Sequence, residues 1–217
     1  MGRLVLIDGL IASLLVGVWY LYFSRYNRRR GWKALRWVET ACSTRAQIVE
    51  VHWFGASRLQ AQFRFAAHWF ENAKVTIRLI PRPLPLQWLM SYSHKQRETL
   101  TFEADLDYAP GTQLEVMRHH WLTHSSRKLA NRSRDWTIAR PGPVVLTTSS
   151  QWQQQLPPIV NTLMTSRGHN LLNVRFGPQS PHLAATIDLE ALSGEEAAAS
   201  FLGVLRELAT DASTSRQ

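Results

Sequence analysis

The chain has 217 residues, 45% apolar and 19% charged, with a formal net charge of +9. That composition is globular and argues against disorder for most of the length. The single cysteine, Cys42, excludes an intramolecular disulfide and a thiolate metal site, and no Cys-x-x-Cys-His haem attachment is present.

Leu4 to Phe23 hold one charge, Asp8, and no proline. As a helix, twenty such residues cover ~30 Å, the thickness of a bilayer's hydrocarbon core. The run ends in the aromatic girdle Trp19, Tyr20, Tyr22 and Phe23, followed by Arg25, Arg28, Arg29, Arg30, Lys33 and Arg36. A cleaved leader has a shorter apolar core and a small-residue exit, so an uncleaved anchor is expected. Leu6 stands where a myristoylation signal needs Ser or Thr. Only Arg3 and the α-amino group precede the span, so charge bias predicts an outside N-terminus and a cytoplasmic C-terminal domain. The inner (cytoplasmic) membrane is the expected location.

Gly9, Ser13 and Gly17 recur at four-residue spacing and line one helix face, where another helix can approach closely. Asp8 lies about one turn inside the outer end and needs a partner, a proton or interfacial water. Asp8, Gly9, Ser13 and Gly17 are therefore the expected helix-packing residues. Arg25, Arg28, Arg29, Arg30, Lys33, Arg36 and Trp32 are the expected contacts to anionic headgroups.

Gly31 reads as a break, after which Trp32, Leu35, Val38 and Ala41 trace a short amphipathic helix that lies along the headgroups or caps the domain. Period-2 alternation then predicts strands over 47–54, 59–65, 75–79 and 100–108. Pro81-Arg82-Pro83-Leu84-Pro85 reads as extended polyproline, and Trp88, Leu89 and Met90 as an apolar loop that docks or touches membrane. A return strand over 114–120 completes a β-meander.

Further on, Val144 to Thr147 reads as a strand and Ser149 to Ser166 as a helix interrupted at Pro157-Pro158. Strands follow at 172–176 and 183–189. Ser193 and Glu196 suggest a capping box for a last helix burying Ala198, Phe201, Leu202, Leu205 and Leu208. The expected class is α+β: one N-terminal transmembrane helix, then a soluble domain with an antiparallel β-meander and a C-terminal β-α-β-β-α unit. Its divisions are an anchor over 1–24, a basic juxtamembrane segment with an amphipathic helix over 25–45, a β-rich part over 46–140, an α+β part over 141–210 and a disordered tail over 211–217.

Chemistry is thinly signalled. Arg118 to His124 is rich in histidine but lacks the Glu of a His-Glu-x-x-His zinc site. Glu103, Asp105 and Asp107 share a strand face, which reads as a sheet's polar side rather than a cation site because no EF-hand glycine accompanies them. No Gly-x-x-x-x-Gly-Lys-Ser/Thr, Gly-x-Gly-x-x-Gly or Gly-x-Ser-x-Gly occurs. No catalytic residue, metal ligand or cofactor is assigned, and no enzyme activity is expected. The sequence instead suggests an accessory or scaffolding subunit of a larger membrane complex, respiratory and photosynthetic assemblies being examples. Its partners would be the membrane, other membrane subunits or a second copy. The competing readings are a tethered module binding anionic lipid or nucleic acid through Arg28 to Arg36 and Arg118 to Arg134, and an enzyme of unfamiliar type. The anchor disfavours nucleic acid.

Overall fold

The longest element, α1, runs unbroken from Gly2 to Cys42, a helix of 41 residues. Its first half is bare: Leu6, Leu10, Leu14 and Leu21 are exposed, and this is the one described helix long and apolar enough to cross a membrane. Its second half changes character, with Asn27, Gly31, Leu35, Val38 and Cys42 buried at three- and four-residue intervals and Ala34 buried beside Leu35. The computed structural model describes residues 2–42, 46–66, 70–107, 110, 114–118, 136–139, 144–149 and 171–214.

Strands β1 (Ala46–Phe54), β2 (Arg58–Phe65), β3 (Glu71–Arg78), β4 (Thr99–Asp105), β5 (Leu114–Arg118), β6 (Trp136–Ala139), β7 (Val144–Ser149), β8 (Leu171–Phe176) and β9 (Leu183–Asp188) build the described sheet. Their order is β1-β2-β3-β4-β9-β8-β5-β7-β6, and every pairing is antiparallel. A nine-residue helix, α2 (Pro85–Ser93), interrupts the passage from β3 to β4, and α3 (Glu195–Thr214) closes the described chain. The class is α+β, as the hydrophobic periodicities predict.

Register explains the layering. Ala61 pairs with Val75, Val75 with Phe102, Phe102 with Ala185, Ala185 with Val174 and Val174 with Val116, so one apolar row crosses six strands. Because side chains alternate along each strand, this row and its neighbours at Leu59, Ile77, Leu100 and Ile187 face one side. The second half of α1 and the Ala198, Phe201, Leu205 and Leu208 stripe of α3 cover that side and complete the core. Each fully buried Leu, Val or Phe contributes roughly 1.5–3 kcal/mol relative to exposure.

Four features differ from the sequence reading. Gly31 does not break the chain. A Cβ there would stand 2.7 Å from Cη2 of Trp53, so the glycine lets β1 press its indole against α1. The amphipathic segment from Trp32 onward is thus the core-facing end of α1 and covers the sheet. Trp88, Leu89 and Met90 form part of α2, not a loop; Pro85 is the first helical residue, where a missing N–H costs nothing. The first four strands do form a meander, but β5 pairs with β7 and β8 while β9 occupies the place beside β4. Lastly, α3 begins at Glu195, and the Gly194 carbonyl accepts from the Ala198 N–H at 3.1 Å, which puts Gly194 rather than Ser193 at the N-cap. The same helix continues to Thr214, past the residue 211 at which a tail is expected. The helix expected over 149–166 falls outside the described residues, apart from Ser149 at the end of β7.

The two halves of α1 should respond oppositely to truncation. Leu35→Ala should cost the domain about 2–5 kcal/mol, as buried leucines do, whereas Leu10→Ala should leave domain stability unchanged. Denaturant unfolding of the full chain in a mild detergent, followed by tryptophan fluorescence, measures both.

Candidate functional site at the helix junction

The polar centre of the molecule sits where the bare half of α1 becomes the buried half. Asn27 is completely buried there. Its Nδ2 donates to the Ala56 carbonyl at 3.1 Å and the Ile80 carbonyl at 3.0 Å, and its Oδ1 accepts from Arg82 Nη1 at 3.3 Å. One amide therefore ties α1 to the β1–β2 turn and to the segment leaving β3. Both carbonyls lie beyond strand ends, where the ladder offers them no partner; the asparagine supplies one.

Arg82 extends the network. Its guanidinium pairs with Glu98, whose carboxylate is almost wholly enclosed, and lies over the Tyr26 ring with its Cζ 5.3 Å from the centroid. Arg30 Nε reaches the other carboxylate oxygen at 2.6 Å, and the Ile80 N–H points to the first at 3.4 Å. Burial alone would draw the Arg30 guanidinium down, but Glu98 and the Tyr26 hydroxyl outweigh it, and the group is held above its ordinary value. Arg30 therefore stays charged at any physiological pH. A buried carboxylate between two guanidiniums is stable only while both remain in place.

Above this junction the contacts turn apolar and aromatic. Trp19 donates its indole N–H to the Arg82 carbonyl at 3.0 Å, and its ring lies 4.5 Å from Phe23 and 5.9 Å from Trp88 between centroids. Leu15, Val16 and Trp19 of α1 face Pro85, Leu86, Trp88 and Leu89 across a groove of about 410 Å³. On the outer side of α1, Arg25, Arg28, Arg29, Trp32, Lys33 and Arg36 line a shallow basic groove of about 650 Å³, with Trp37 and Glu195 at its edge.

The expected site residues separate into three environments. Asp8, Gly9, Ser13 and Gly17 are all exposed on the bare half of α1, and a Cβ added at Gly9 or Gly17 would meet nothing within 4 Å. Arg25, Arg28, Arg29, Trp32, Lys33 and Arg36 stand together on one face of α1. Arg30 is turned instead toward Glu98 and belongs to the junction. Because the helix is continuous through Gly31, Arg25 and Arg36 lie ~16 Å apart along its axis.

The carboxylates of β4 are engaged within the sheet. Glu103 faces Lys74 at 4.0 Å across the β3–β4 ladder, and Asp105 accepts from Asn72 Nδ2 at 3.1 Å. No group of three or more metal-ligating side chains occurs among the described residues. Of the histidine-rich segment, Arg118 ends β5 and the remainder lies outside the described residues. Burial pushes the Cys42 thiol up to about 12, so it is a neutral core side chain and no nucleophile.

Asn27, Arg82 and Glu98 carry no signal at sequence level. They are 55 and 16 positions apart along the chain, and Glu98 falls just before a strand, in a place where a solvated acid is the default expectation. No protein-family model matches this chain, and no curated protein matches it in sequence. The site's meaning rests on its geometry alone.

Glu98→Ala should cost about 3–5 kcal/mol, the usual penalty for leaving buried charges without their counter-ion, and Glu98→Gln should cost less because the amide oxygen still accepts from Ile80 and Arg82. Chemical denaturation of both variants checks the order. Asp105 supplies a pH test. Burial pushes its carboxyl up, but hydrogen bonds from Ser180, Asn72 and the His182 backbone, with the His182 charge, overcome this and hold it below the ordinary carboxylate value. Its contribution to stability is therefore complete above the unfolded value of 3.8 and is lost as pH falls through the lower folded value. Asp105→Asn should flatten the acid limb of a melting-temperature profile below about pH 4 and lower the plateau above it.

Proposed function

We propose that this chain is a single-pass accessory or scaffolding subunit of a larger membrane complex. Its domain stands on the cytoplasmic face of the inner membrane. The observation that carries this reading is the continuity of α1: the segment able to span a bilayer and the segment completing the domain core are one helix, locked through Asn27 and Glu98. Such a domain keeps a fixed height and orientation relative to the span, as suits a part that positions neighbours. A flexible tether would suit an enzyme that must search for substrate.

Two further features support it. The Gly9, Ser13 and Gly17 face is free of contacts with the rest of the described chain, as a helix–helix docking face requires. The cationic cluster directly after the span favours a cytoplasmic domain. A second reading, a tethered module that binds anionic lipid, is favoured by the basic groove of Arg25, Arg28, Arg29 and Lys33.

Gentle solubilisation of native membranes and capture through a C-terminal tag should recover a stoichiometric complex of membrane proteins or a homo-oligomer. Gly9→Ile with Gly17→Ile should abolish that recovery while leaving membrane insertion and domain stability intact. A monomer carrying only anionic lipid would replace the subunit reading with the lipid-binding one.

A further inference from the structure

The helix α2 is built inside out for a soluble domain. Its one buried residue is Ser91, while Leu86 and Tyr92 are 79% and 75% exposed and Leu89 and Met90 60% and 62%. A surface helix of a soluble domain turns its apolar stripe inward and its polar residues outward. Here the small polar side chain is the buried one, Leu86, Leu89, Met90 and Tyr92 stay exposed, and Trp88 turns to Trp19. No Lys, Arg, Asp or Glu occurs between Arg82 and Lys95, so the stretch 83–94 that contains α2 is free of these charges.

Its position gives the reason. The groove between α2 and α1 is formed by Leu15, Val16 and Trp19 on the α1 side. Counting back from Phe23, the last residue of the apolar run, Trp19 and Leu15 lie ~6 and ~12 Å inside the end of the span. An interfacial helix buries its apolar face ~5–10 Å into the boundary between headgroups and acyl chains. The segment is therefore held at the depth such a helix occupies, and its exposed leucines flank the apolar groove it shares with the bare half of α1. Lys95, exposed just beyond its C-terminal end, is a cation of the kind found at membrane surfaces.

We propose that α2 is a second membrane element, an interfacial helix seated in the cytoplasmic leaflet beside the span, with a phospholipid bilayer as the occupant of the face formed by Leu86, Leu89, Met90 and Tyr92. Lipid rather than a partner protein is the occupant because the patch lies at membrane depth and flanks the apolar groove shared with the bare half of α1. The pairing of Trp19 with Arg82 and Trp88 sets the depth. The domain then touches the bilayer at two points, which fixes its rotation about the α1 axis as well as its height. This proposal rests on the membrane-spanning reading of α1 and is independent of the subunit reading.

The test places a nitroxide on the full-length chain in phosphatidylcholine–phosphatidylglycerol vesicles. Leu89→Cys reports on α2, Leu10→Cys on the span and Gln62→Cys on the exposed face of the sheet, with the buried Cys42 left in place and the parent chain as its labelling control. Relaxation by oxygen, which concentrates in lipid, is compared with relaxation by a water-soluble nickel chelate. The expected result is a lipid-phase signature at residue 10, a shallow one at residue 89 about 5–10 Å below the phosphates, and an aqueous one at residue 62. An aqueous signature at residue 89 beside a lipid-phase one at residue 10 overturns the interfacial helix and leaves the span standing. Protection of residue 89 from both reagents overturns it in favour of a protein partner or a second copy. An aqueous signature at residue 10 overturns the membrane-spanning reading, and this proposal with it.

Discussion

The enclosed carboxylate of Glu98 is the constraint on which the rest of the structure turns. A buried charge without compensation costs several kcal/mol, so Glu98 has to draw cations to it, and it draws one from each side. Arg30 comes from α1 and Arg82 from the segment after β3. Neither arginine can move without the other elements following. Asn27 completes the lock, because its amide occupies two carbonyls that no strand partner reaches. Axial position, rotation and distance from the sheet are thereby fixed for α1 at one point, and apolar packing below that point only has to agree with it.

That lock divides a single helix into two unlike halves. Below the junction α1 is an ordinary amphipathic core helix, with Leu35, Val38 and Cys42 matched to the sheet and to α3. Above it the same helix is apolar and mostly exposed, and it meets α2 and Arg82 through Trp19. An interior glycine costs a helix roughly 1 kcal/mol against alanine. At Gly31 that cost is offset by close packing, since Trp53 occupies the volume a side chain would fill. A position that looks like a break in one dimension is in three dimensions the closest approach between helix and sheet.

Legibility followed the range of the interactions. The strands β2, β4 and β9 could be read because each has one buried face, and β1 because its half-buried and exposed residues alternate; the period-2 pattern is local. The stripe on α3 and the apolar run in α1 could be read for the same reason. What stayed hidden depends on residues far apart in the chain. Placing β9 beside β4 and β5 beside β8 is decided by pairings across roughly 56 to 89 positions, which periodicity does not record. The helix α2 was masked by its prolines: Pro83 and Pro85 suggest extended chain, yet Pro85 is well placed as a first helical residue. The junction itself was invisible, since an asparagine among arginines and a glutamate before a strand both look solvated until the fold brings them together.

The tryptophans join these points. Trp19, Trp32, Trp37, Trp53 and Trp88 are the five whose surroundings are described, and none of them is among the buried core residues. They gather instead along α1 and its contacts, where apolar surface meets polar groups, the setting an indole's broad apolar ring and single donor suit. Trp19 spends its donor on the Arg82 carbonyl and its ring on Phe23 and Trp88. One side chain thus connects the span, α2 and the ion-pair junction. Loss of the Glu98 pairing would free Arg82, and with it the carbonyl that holds Trp19. The electrostatic lock and the aromatic contacts above it therefore form one mechanical unit, and a force applied along α1 reaches the sheet through that unit rather than through a flexible linker.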